Sequence, residues 1–158
     1  LAGDAEAAER EFRKGYEILA DVGARGLLAA ELAQSLVDQG RISDAAGYVA
    51  VAEQASGGDI APQVIWRIAK AWIGMDEEKY DEAIELSAKA VELAERTDAL
   101  TMIAKANLAL AEALRNAGRE GDARTAAEHA LELYAEKGHT VGERRAAAAL
   151  APPVAPRP

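Results

Sequence analysis

The chain has 158 residues, a formal net charge of −9 and no cysteine, which fits one domain and removes any disulfide or thiolate chemistry. The acidic balance, with no Lys/Arg cluster long enough to line phosphates, excludes a nucleic-acid surface built on counterion release and repels an anionic membrane. No apolar run approaches the roughly 18 residues a spanning helix needs and no signal peptide stands at the front, so a soluble cytoplasmic protein is expected.

Usage leans to Ala, Leu, Glu and Arg, residues that favour helix throughout. The chain opens with Leu-Ala-Gly-Asp, which reads as the turn inside a helical hairpin and leads to the expectation of a fragment. A first helix is predicted from about Asp4 to Val22, closed by Gly23. Its apolar side, Ala8, Phe12, Gly15, Tyr16 and Leu19, calls for a preceding helix. Two helices come next, near Gly26 to Gln39 and Ser43 to Ala55, with Gly57-Gly58 as the stop. Asp59 is a candidate N-cap and Pro62 is tolerable in the first turn, where no N–H donor is needed. The next pair spans about Ile60 to Met75 and Tyr80 to Arg96. Thr97-Asp98 then caps a unit that runs to Lys137, hinged at Gly118 and stopped at Gly138. Thr140 and Glu143 have capping-box spacing and start a short last helix through Leu150, after which Pro152, Pro153, Pro156 and Pro158 predict a disordered tail.

The turns keep step. Each precedes an alanine, Ala8, Ala45, Ala83 and Ala123, at intervals of 37, 38 and 40 residues. A fixed period of this size means stacked helix pairs sharing a continuous core. In the stretch from Asn107 to Ala130, Leu108, Leu110, Ala111, Leu114 and Ala117 form one apolar stripe, and Ala123, Ala126, Ala127 and Ala130 lie on a second. Methyl groups at these crossings let two backbones pack near the lower end of the roughly 8 to 10 Å interaxial range. The expected fold is all-α, a right-handed superhelix of antiparallel helix pairs with about eight helices. Its segments are a half-repeat over 1–23, repeats over 24–58, 59–96 and 97–138, a capping helix over 140–151 and a tail over 152–158.

Catalytic and metal chemistry find no footing in the pattern. His129 and His139 lack the spacing of ligand pairs. The acidic run Asp76-Glu77-Glu78 has neither the glycine nor the alternating oxygens of a calcium loop. Gly23-Ala24-Arg25-Gly26 has no phosphate-loop lysine, and the serines have no nucleophile elbow. No cofactor, no metal and no enzymatic activity are expected of this chain.

The residues Leu32-Ala33, Leu36, Gly40, Ala45 and Ala52, and again Leu110-Ala111, Leu114, Gly118, Ala123 and Ala130, resemble the tetratricopeptide family. The third unit keeps Ala71, Ala83 and Ala90 but has Glu78 where glycine is usual and Gly74 where a bulky residue is expected. The phrases LAGDAEAAEREFRKGYEIL, VIWRIAKAWI, AVELAERTDAL, LAEALRNAGR and ALELYAEKG resemble the C-terminal repeat arm of large bacterial signalling proteins. In those, an adenylate/guanylate cyclase domain or a transcription regulator is followed by an ATP-binding switch domain and then by such repeats. The resemblance implies a sensor or scaffold arm that binds protein or peptide, with no activity of its own. It also implies a concave groove on the first helices of the pairs, formed by Leu27 and Gln34, then Ile65, Ile68, Trp72 and Met75, then Lys105, Leu108, Glu112 and Arg115. Ala30, Val37, Asp38, Asp76 and Asn116 share that face. Two other functions fit the sequence: a homodimer formed through the first helix, and a sensor whose groove holds a small ligand or peptide.

Overall fold

A helix leaves its last carbonyls without partners, and four of the turns in this chain solve that problem in the same way. The computed structural model of the chain describes residues 2–18 and 22–151. At Gly40, Glu78, Gly118 and Gly138 the backbone turns left-handed, with φ of 74°, 60°, 76° and 69°. The next amide N–H then reaches back five residues: Arg41 to the Leu36 carbonyl (2.9 Å), Lys79 to Gly74 (2.7 Å), Arg119 to Leu114 (2.9 Å) and His139 to Tyr134 (2.9 Å). This is the Schellman closure. The donating residue is also the N-cap of the following helix, so one residue both ends and begins an element.

The helices so joined are α1 (Ala2–Ile18), α2 (Val22–Asp38), α3 (Ile42–Ala55), α4 (Ile60–Asp76), α5 (Tyr80–Ala94), α6 (Leu100–Asn116), α7 (Glu120–Lys137) and α8 (Thr140–Leu150). Among the described residues there is no strand, and no helix is long and apolar enough to cross a membrane. Helices α2, α4, α6 and α8 form one row, each touching the next. Behind it α3 packs on α2 and α4, α5 on α4 and α6, and α7 on α6 and α8, while α1 lies on α2. The chain is a helical repeat stack.

The repeating alanines hold the stack together. Ala45, Ala52, Ala83, Ala90, Ala123 and Ala130 on the back row are buried, as are Ala33, Ala71 and Ala111 on the front row. Leu32 and Leu36 are fully buried and Leu114 nearly so. At Gly74 the front-row helix lies against Ala83 of α5, and a Cβ there would meet that of Ala83 at 3.6 Å, an ordinary packing contact. Gly26 is more restricted, because a Cβ would lie 2.7 Å from the Ala55 carbonyl oxygen.

Several local expectations are corrected. Gly23 does not close α1; it lies in the first turn of α2, which begins at Val22 rather than near Gly26. The apolar side of α1 is partly covered by α2 and α3: Gly15 meets Leu28, and the Tyr16 ring meets Tyr48 edge-on at 5.8 Å. Glu9 anchors the same helix by accepting from Arg13 (2.7 Å), Gln39 (3.0 Å) and Arg41 (2.8 Å), with Arg13 foremost in holding its carboxyl below the usual range. Asp59 occupies the N-cap position of α4, but its side chain caps nothing. Thr97 serves the preceding helix instead, donating to the Ala94 carbonyl at 2.7 Å and accepting from the Ala99 N–H, and Ala99 is the N-cap of α6. Thr140 is the first residue of α8 and not its cap, a place taken by His139. Leu19 and the 152–158 tail lie outside the described residues.

Glu78 adopts the conformation that glycine holds in its three sister turns. A left-handed φ costs an L-residue roughly 1 to 2 kcal/mol, and glycine's greater freedom in the unfolded chain returns roughly half of that. Glu78→Gly should therefore raise stability by about 0.5 to 1 kcal/mol, read as a higher urea midpoint at unchanged m-value.

Candidate functional site: a cleft closed by the last helix

Helical periodicity selects what each front-row helix presents to the inside of the stack. From α2 come Gln34, Val37 and Asp38; from α4, Ile68 and Trp72; from α6, Lys105, Leu108, Ala109 and Glu112; from α8, Val141, Arg144, Arg145 and Ala148. Together they surround a cleft of about 1100 Å³, with Glu6, Gln39, Arg41, Tyr134 and His139 around its edge. Ile68, Trp72 and Leu108 give it an apolar floor.

The feature that makes this a cleft rather than an open face is α8. Its Arg145 reaches Asp38 of α2 with Nη1 to Oδ1 at 3.0 Å, a contact between residues 107 apart in sequence. Arg115 of α6 holds the far end of the helix, its Nη1 donating to the Ala149 carbonyl at 3.2 Å while it also pairs with Glu112. At the near end the His139 Nδ1 accepts from the Gly142 N–H (2.9 Å). The imidazole stacks at a tilt on Tyr134, with ring centroids 5.3 Å apart. Any Cβ at Gly142 would run into the Tyr134 ring, so a glycine is what allows α8 to lie down there.

Two titrating groups record how enclosed the site is. Beside the cleft, burial pushes the Glu31 carboxyl up, Lys105 pulls it back, and Asp38 adds to the rise. Burial likewise pushes the Tyr134 phenol up to about 12, with Arg145 lowering it and Asp38 raising it. Among the described residues, no group of three or more His, Asp or Glu side chains is placed to hold a metal ion.

Of the residues expected to form the groove, Gln34, Ile68, Trp72, Lys105, Leu108 and Glu112 are brought together in the cleft. The other four stand elsewhere. Leu27 is 38 % exposed and does not line the cleft. Ile65 packs on the α2–α3 core, and Met75 is buried with Ala71, Ala83 and Ala113. Arg115 supports α8 from outside the cleft. Trp72 has two roles, since it lines the cleft and also packs against three separate parts of the core. The α8 residues were missed. Val141, Arg145 and Ala148 do fall at i, i+4 and i+7, a face that could have been read as inward.

This geometry makes two measurable demands. The Asp38–Arg145 pair is 29 % and 54 % exposed, so a double-mutant cycle with Asp38→Asn and Arg145→Gln should give a coupling of roughly 0.5 to 1 kcal/mol that shrinks with added salt. Because the folded state disfavours the phenolate of Tyr134, stability is intact below pH ~10, the unfolded phenol's value, and is lost as pH climbs toward 12. Tyr134→Phe should flatten that part of a melting-temperature profile relative to the native chain. Comparison with known protein families, with curated proteins and with solved structures finds no match to this chain.

Proposed function

We propose that the chain is a non-catalytic protein-interaction module, a tetratricopeptide-like arm whose cleft holds an extended segment of a partner protein. The observation that carries this reading is the cleft itself. At about 1100 Å³ it exceeds the roughly 300 to 1,000 Å³ of most small-molecule pockets, and it runs across four helices rather than into one. Its apolar floor of Ile68, Trp72 and Leu108 supplies the burial that drives association, and the polar rim supplies register. The likeness of its repeat phrases to the arms of bacterial signalling proteins supports a setting in the cytoplasm, as the sensor or scaffold part of a larger chain. Occupancy of the cleft would then be felt at α8, the wall that is tied to both α2 and α6.

Trp72→Ala is a poor test, because losing a side chain shared by three parts of the core should cost roughly 2 to 4 kcal/mol of stability in addition to any loss of binding. Ala148→Trp is cleaner. Ala148 is exposed and lines the cleft, so an indole there fills the space without entering the core. Peptides enriched from a random phage-displayed library on the native chain should bind Ala148→Trp at least ~10-fold more weakly, a loss of about 1.4 kcal/mol, with the melting temperature unchanged. Equal binding by calorimetry would place the site elsewhere, and a library that yields no peptide would refute the proposal.

A further inference from the structure

Gln34 is only 7 % exposed and lines the cleft, yet its Oε1 has no hydrogen-bond partner. Its Nε2 makes a single long contact, 3.4 Å to Asp38 Oδ1, an oxygen already engaged by Arg145 at 3.0 Å. That contact also fixes which end of the amide is oxygen, because reversing it would set two acceptors against each other. Buried amides are ordinarily satisfied, so the free chain carries a standing cost at this position. The last torsion of a glutamine is broad and roughly two-fold. With one long bond restraining it, the oxygen can swing to a donor seated in the cleft.

The charges around it narrow the donor's chemistry. Asp38 is met by Arg145 and Glu112 by Arg115, while Lys105 has no ion pair among the described residues and feels only the longer-range field of the part-buried Glu31 beside the cleft. On the rim, Glu6 and Arg144 have no ion-pair partner among the described residues and are opposite in sign. In a chain of net charge −9, the cleft lining sets three carboxylates, Glu6, Asp38 and Glu112, against four cations, Arg41, Lys105, Arg144 and Arg145, and so carries almost no net charge. A charged occupant would gain little and would meet groups of its own sign, whereas the unmet need is for a neutral N–H.

We propose that the occupant of the cleft is an uncharged stretch of extended main chain, one of whose amide N–H groups donates to Gln34 Oε1. The inference rests on the reading of the cleft as a peptide site. It carries two consequences that a merely structural glutamine lacks. Replacing Gln34 by an apolar residue of similar length removes the unmet acceptor, so the free protein should become more stable while binding becomes weaker. Affinity should also be nearly independent of salt, because no net charge is exchanged between the partners.

The test uses the full chain and synthetic copies of peptides enriched from the same random library, titrated by calorimetry at ~50 and ~500 mM NaCl. The expected peptides are free of charged residues over their core, and their affinity changes less than about threefold across that range. Gln34→Leu should weaken binding at least ~10-fold and raise the melting temperature, and Gln34→Met, which keeps an unbranched shape, should do the same. N-methylation at one position of the peptide should cause the same loss on the native chain and no further loss on Gln34→Leu. The inference is overturned if Gln34→Leu and Gln34→Met bind as tightly as the native chain, or if the enriched peptides are strongly charged with a steep salt dependence. It is also overturned if the sensitive group is an Asn or Gln side chain of the peptide rather than a main-chain amide. Peptides blocked by Ala148→Trp but indifferent to Gln34 would sink this inference alone. A library that yields no peptide would sink the peptide-site reading as well.

Discussion

Close approach between helix backbones is the constraint on which the rest of this molecule depends. Ala45 and Ala52, Ala83 and Ala90, and Ala123 and Ala130 stand buried on the back row, opposite Ala33, Ala71 and Ala111 on the front. A methyl group is the largest side chain that lets paired helices sit near the short end of their packing range. Bulk is supplied between these crossings, by Leu32, Leu36, Val64, Trp66, Ile103 and Leu114 among others. Across the front row, the long Arg145 side chain of the fourth helix spans to Asp38 of the first, Nη1 to Oδ1 3.0 Å.

Those alanines were legible in the sequence because they recur, and so were the turns. Gly40, Gly118 and Gly138 stand where a left-handed residue is needed. Glu78 shows that the need belongs to the backbone rather than to the residue, since the same closure forms around it at φ 60°. The caps were less legible. Asp59, Thr97 and Thr140 have the composition of N-caps, but only at α8 does the closure of the preceding helix decide the start, leaving His139 as N-cap; Asp59 holds its position without a side-chain bond, and the Thr97 hydroxyl is spent on the Ala94 carbonyl. Single-sequence signals for caps are local, and at Thr97 and Thr140 the hydrogen bonds to the preceding helix outweigh them.

The cleft was half legible, for a different reason. The tetratricopeptide resemblance implied a shared face, and Gln34, Ile68, Trp72, Lys105, Leu108 and Glu112 from it do line one cleft. It does not say how far that face is closed by something distant in sequence. Arg145 reaching Asp38, and Arg115 turning outward to the Ala149 carbonyl, are relations between the second helix, the sixth and the eighth that no local pattern encodes. Trp72 shows the same limit from inside: a residue can lie on the groove face and still spend most of its surface on the core. Gln34 is the opposite case, a polar side chain buried where the fold alone has no use for its oxygen.

The double duty of Arg41, Lys79 and Arg119, each finishing one closure and opening the next helix, also bears on how such an arm changes length over evolutionary time. With no spare residue in these joints, 39–41, 77–79 and 117–119 behave as fixed elbows that an insertion would disrupt. The links between pairs are different: 56–59 and 95–99 differ in length from one another, and their tips at Gly58 and Asp98 are exposed. Lengthening a flexible surface loop is thermodynamically inexpensive, with each doubling adding only about 0.6 kcal/mol. A change in repeat period therefore costs least in the links between pairs, while the three-residue elbows hold the geometry within each pair.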